Sequence, residues 1–195
     1  MKGFGYALER RWNDITDEQR SIMLRGIVHD ADRMDTVLRQ LVDAARLTEG
    51  GLEIFPEKTD LADLVRSVSE QQAAEPEQPG VEWLGGVDEA FVDPARLKTT
   101  LLAFVESLVW WGQEGPIRVE AEQVGDRLHL WASRSGTELT SAEADARFVP
   151  RSPGSGAGSK IGMFVARGVA EAQGGRAWGD VVDDRLRFHV ELPRS

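Results

Sequence analysis

Cysteine is absent from the 195 residues. That excludes a disulfide framework, a thiolate metal site and a cysteine nucleophile. Long apolar runs are absent as well, and none approaches the roughly 18–20 residues that span a bilayer. The opening stretch MKGFGYALERRW lacks the apolar centre of a secretory leader. Positive charge is in short supply. Lys and Arg number 23 against 33 Asp and Glu, for a formal net charge of −10 and a pI near 4.9. Such a surface repels phosphate backbones and anionic lipid, which argues against nucleic acid or a membrane surface as the main partner. These absences fit a cytoplasmic protein. Also missing are an internal repeat, a nucleophile elbow for Ser/His/Asp catalysis and metal-ligand spacing between histidines.

What is present is enough apolar residue, 41%, for a packed core. Thr16 and Gln19 stand three apart, as in a capping box, and predict a helix start. Leu24, Ile27, Ala31, Met34, Leu38, Leu41 and Ala45 then recur at spacings of three and four. That is a heptad seam suited to bundle packing, and Gly50-Gly51 supplies its stop. Residues 2–13 predict a shorter helix ahead of it.

After Gly51 the pattern alternates between strands and helices. LEIF (52–55) reads as a strand and TDLADLVRSVSEQQ (59–72) as a capped helix. VEWL (81–84) and AFV (90–92) are short strands. DPARLKTTLLAFVESLVWW (93–111) is a helix with proline in its first turn. Residues 116–123 and 126–133 form a hairpin turning at Gly125-Asp126. Residues 134–159 show no clear period, and their Ser, Gly and Pro content predicts a mobile segment. A helix at 160–173 and strands near 176–182 and 185–192 complete the chain. The sum is a two-layer α/β sandwich with a mixed sheet and helices on one face.

SPGSGAGSKIGMFVARGVAEAQGG (152–175) is a glycine-rich loop running into an amphipathic helix, a form that often cradles phosphate. It lacks the Gly-Lys-Ser/Thr ending of a P-loop, and G-x-G-x-x-G is not met from Gly154 or Gly156.

The order of these pieces resembles the sensor histidine kinases. The likeness lies in ADRM, LVDAARLTEG and TDLADLV, in FVDPARLKTTLLAFVESL, in ARF at 146–148 and in the glycine-rich stretch. The resemblance implies an α+β chain: a helical hairpin over 1–50, half of a dimeric four-helix bundle, then a Bergerat or HATPase-like sandwich over 51–195. It also implies a homodimer through the 17–49 helix and a kinase or response regulator as partner. The expected nucleotide-loop remnant is Gly156, Gly158, Lys160 and Gly162.

The same comparison predicts lost chemistry. Ala103 and Ser107 stand where that family's helix carries asparagines, and Trp110 and Trp111 where it carries Lys-Tyr. A serine hydroxyl is a poorer, shorter Mg²⁺ ligand than an amide carbonyl. Arg134 replaces the aspartate that accepts from adenine, and arginine has no acceptor. Glu138 replaces a glycine near the triphosphate path, where a carboxylate repels. Lys160 replaces the middle glycine of the phosphate loop. The family's phosphoacceptor histidine would precede Lys2, so the sequence as read lacks it.

His29, followed by Asp30, reads as a helix-surface histidine, and His129 and His189 as structural strand residues. For Trp110 and Trp111 two readings stand: filling the space of a nucleotide, or packing at the core and rim. The expectation is a degenerate, inactive kinase-like module with no catalytic residue, no metal and no resident cofactor. Two alternatives stand beside it. One is a kinase that binds ATP and Mg²⁺ at an atypical site; the other is a phosphotransfer protein using His29.

Overall fold

A computed structural model describes residues 2–73, 78–149 and 160–193. The chain divides into two compact units, residues 1–42 and 43–195. The first holds helix α1 (Lys2–Arg11), a 3-10 turn (Trp12–Asp14) and most of α2 (Asp17–Glu49). The predicted capping box closes the start of α2. Thr16 N–H donates to Gln19 Oε1 at 2.9 Å, and Gln19 N–H donates to Thr16 Oγ1 at 3.2 Å. Arg20 ties the turn down by donating to Trp12 O, with its guanidinium 4.6 Å from the Trp12 ring. Along α2, Leu24, Met34, Leu38 and Leu41 of the seam are exposed.

The second unit begins within the last turns of α2. Gly50 takes a φ of +70° there. Gly51 N–H donates to Arg46 O, and Gly50 N–H to Leu47 O. That pair of bonds satisfies two of the last helical carbonyls, and only glycine adopts this φ at low cost.

LEIF does not form a strand. The first strand, β1, is Glu57–Asp60, beyond Pro56. Phe55 N–H is taken instead by the Asp93 carboxylate at 2.9 Å, and proline has no N–H to extend a ladder. Helix α3 spans Leu61–Ala73, capped by Asp60, whose carboxylate accepts from Asp63 N–H at 2.8 Å. Strands β2 (Val81–Trp83) and β3 (Glu89–Val92) follow, then α4 (Pro94–Trp111), β4 (Glu114–Val124) and β5 (Arg127–Ser135). The stretch expected to be irregular contains a short helix, α5 (Ser141–Asp145). A full capping box of Thr140 and Glu143 starts it, and a 3-10 turn (Ala146–Phe148) follows. Helix α6 (Lys160–Ala172) and strands β6 (Arg176–Val182) and β7 (Arg185–Pro193) end the chain.

The main sheet runs β2-β4-β5-β7-β6, and β1 pairs separately with β3. Only β2–β4 is parallel among these pairings; β4–β5 and β6–β7 are antiparallel hairpins, and β1–β3 and β5–β7 are antiparallel pairings of strands apart in the chain. Asp183 and Asp184, at φ +50° and +60°, supply the two-residue turn between β6 and β7, a conformation aspartate tolerates better than most side chains. One face of the sheet carries Ile117, Val119, Leu130, Leu186, Phe188 and Val190, all buried. They join Leu61, Val65, Leu101, Phe104 and Leu108 of α3 and α4 in one core cluster. Phe104, Phe148 and Phe188 meet there with centroids about 6 Å apart. The core therefore lies between the sheet and its layer of helices, as the alternation predicted.

Candidate functional site

The residues singled out in the sequence fall on α4, the end of β5, the segment through Phe148 and the start of α6. Helix α4 is a rigid platform for them. Asp93 caps its start, accepting from Arg96 N–H at 3.0 Å, and Pro94 occupies the first turn. Ala103 faces the core and is 2% exposed. Ser107 is partly exposed. Trp111 packs against the core cluster, and the Arg147 guanidinium lies 4.0 Å from its ring. Trp110 points the other way and is 54% exposed. One tryptophan therefore packs at the core and the other lies at the surface.

Arg134 does something the sequence did not suggest. Its Nη1 donates to Gly112 O at 2.7 Å and approaches Leu108 O and Val109 O at 3.4 and 3.5 Å. Its Nε donates to Gly115 O at 3.0 Å. The guanidinium thereby gathers the carbonyls at the end of α4, which a helix leaves without partners, and its charge suits the negative end of the helix dipole. Burial lowers its pKa from the usual arginine value. Gly112 makes room for it: a Cβ there would lie 2.8 Å from Arg134 Cβ. The one available signal was that glycine directly after Trp110-Trp111.

Beyond β5, Gly136 holds φ +75°, and a Cβ there would meet Glu114 Cγ at 2.8 Å. This glycine serves the backbone. Glu138 is exposed. Arg167 of α6 fastens the next segment, pairing with Asp145 at 2.5 Å, donating to Ala177 O at 2.9 Å and lying 4.5 Å from the Phe148 ring. Gly162 is buried in the first turn of α6. Gly156 and Gly158 lie outside the described residues, as does the side chain of Lys160, the first residue of α6. The His29 side chain is likewise outside them, on α2. His129 and His189 sit on β5 and β7 and are hydrogen-bonded to each other. Among the described residues, no three His, Cys, Asp or Glu side chains form a metal cluster.

A cavity of about 670 Å³ opens elsewhere in this unit, lined by Leu47, Leu52, Phe148, Phe164, Arg167 and Glu171 among others. None of the altered α4 positions or Arg134 lines it.

No family model matches the chain. Its relatives are nonetheless consistent. It is 27% identical over 190 residues to a bacteriophytochrome of Pseudomonas aeruginosa, covering 91% of this chain and 26% of the relative. It is 25% identical over 147 residues to the sensor histidine kinase ZraS of Escherichia coli, covering 75% and 32%. The histidine kinase AdeS of Acinetobacter baumannii superposes with a TM-score of 0.70 at 13% identity, covering 100% of this chain and 93% of that one. By sequence and by fold, the chain is similar to sensor histidine kinases. It spans about a quarter to a third of the length of those two relatives. Another structural neighbour is the histidine kinase ThkA, whose structure was solved in complex with the response regulator TrrA (TM-score 0.61, 16% identity, 98% of this chain and 57% of that one). Both structures show the fold alone. The histidine-kinase-like module is therefore the common ground of sequence and structure. No described helix is long and apolar enough to cross a membrane.

Proposed function

We propose that this chain is a catalytically silent histidine-kinase-like module in two-component-type signalling. It works by pairing with a second copy and docking a kinase or response regulator in the cytoplasm. Arg134 carries the reading. At the position where the resemblance places an acceptor for adenine stands a side chain with donors only, and those donors are committed to the end of α4 and the start of β4. Ala103 in the core and a lone Ser107 hydroxyl offer no amide oxygen to Mg²⁺. The residues present do not fit an ATP–Mg²⁺ complex of that family's kind. The exposed seam of α2 supports pairing, because apolar side chains at heptad spacing need a facing helix to leave water. The neighbour solved with a response regulator supports that partner type.

Calorimetric titration with ATP and Mg²⁺, alongside a non-hydrolysable analogue, tests the silent site. The expected result at millimolar nucleotide is no heat and no thermal stabilisation. Saturable binding transfers the function to a second reading, a kinase with an atypical site at Gly156, Gly158, Lys160 and Gly162. That reading is favoured by the start of α6 at Lys160 with Gly162 buried in its first turn, since first-turn N–H groups attract anions. Light scattering at micromolar concentration tests pairing. A strictly monomeric mass overturns the homodimer.

A further inference from the structure

The face of the sheet opposite the core carries a continuous chain of polar contacts across four strands. On β4, Glu122 Oε1 lies 2.9 Å from His129 Nδ1 of β5. His129 Nε2 lies 3.0 Å from His189 Nδ1 of β7. His189 Nε2 lies 3.3 Å from Asp180 Oδ1 of β6. Two indoles enclose the rings. Trp178 stacks on His189 at 4.8 Å and 5°, and Trp131 lies 5.0 Å from His129. The side chains of His129 and His189 are 17% and 5% exposed.

The surrounding charges are paired among themselves. Arg187 holds Asp180 through two bonds of 2.7 and 2.9 Å. Arg127 and Arg176 both hold Glu191, which stands opposite His129 in the ladder. Glu120 and Arg118 stand opposite Trp131 and Ser133. Burial opposes ionisation of Asp180, but Arg187 and His189 together outweigh it and keep its carboxyl below its usual value.

Counting protons shows what such a chain can hold. It has three links. Two neutral imidazoles bring two protons, so one link always lacks a hydrogen. One added proton fills all three: His129 donates to Glu122 and to His189 Nδ1, and His189 Nε2 donates to Asp180. A fourth proton would put N–H groups on both nitrogens of the 3.0 Å contact, where neither can accept.

We propose that Glu122, His129, His189 and Asp180 form a proton-gated clasp across β4, β5, β7 and β6, completed by one added proton and broken by a second. Breaking it parts the two rings and wets Trp131 and Trp178. The clasp is separate from the α4 site and independent of any nucleotide. His189 is the ring that resists the second proton. Burial pushes its pKa down to about 4, aided by His129 and Arg187 and opposed by Asp180. An unfolded histidine titrates near 6.5. Between those values the unfolded chain binds more protons at this ring, so stability falls as pH drops from about 6.5 to about 4.

The test uses the full chain. Imidazole nitrogen signals are followed by NMR from pH 8 to 3.5, with tryptophan emission recorded in parallel and His29→Gln identifying the third histidine. The expected result is a first step that moves both paired rings together. A second step near pH 4 coincides with a change in tryptophan emission. His129→Gln removes the ring whose charge opposes a second one on His189 and moves the His189 step up. Two independent one-proton curves in the unsubstituted protein, with flat tryptophan emission, overturn the clasp.

Discussion

The two ends of α4 are each closed by a charged side chain, and they reach that state by opposite routes. At the start, Asp93 sits one residue before the helix and accepts from Arg96 N–H three residues on. At the end, Arg134 arrives from β5 and donates to Gly112 O, 22 residues back in the chain. The first cap is local and follows from backbone geometry. The second exists only once β5 has docked beside the helix. A cap built by tertiary structure can use any side chain the fold delivers.

Substitutions at the two ends test that contrast. Arg134→Ala is expected to cost most, about 3 kcal/mol in denaturant unfolding, because several carbonyls lose a charged donor at once. Asp93→Ala is expected to cost about 2 kcal/mol, as both the α4 cap and the Phe55 N–H lose their acceptor. Arg134→Lys comes next at about 1.5 kcal/mol, since an ammonium cannot reproduce the planar fork. Asp93→Asn is smallest at about 1 kcal/mol; the amide still caps, but its NH₂ cannot accept from Phe55. A neutral Arg134→Lys would show that charge alone closes the C-terminal end. An Asp93→Ala loss exceeding that of Arg134→Ala would show the local cap to be dominant.

The same division explains what could be read from the sequence. The Thr16–Gln19 box, the Gly50-Gly51 stop and the alternation in β5 and β7 are signals within a few residues, and each marks its element. LEIF also alternates, yet nothing pairs with it, because Pro56 and the reach of Asp93 decide the backbone there. Thr140 and Glu143 form a local capping signature that the surrounding Ser- and Gly-rich composition masks. The chemistry of the site residues was legible as residue identity: Arg134 has no acceptor, and Ala103 has no amide. Their employment was not. Arg134 on α4, Arg147 on Trp111, and His129 on His189 join positions 22, 36 and 60 residues apart, and only register and packing bring them together.

The cap on α4 also bears on how this sequence could change. An aspartate placed at position 134 would supply an acceptor and, in the same step, strip the helix end of its donor. Gly112 stays small whatever stands at 134, because a Cβ at 112 would lie 2.8 Å from the Cβ that any residue but glycine carries there. Exchanging Arg134 for an acceptor therefore begins downhill in stability. The helix end acts as a latch, holding the arginine until some other donor takes over the carbonyls it serves.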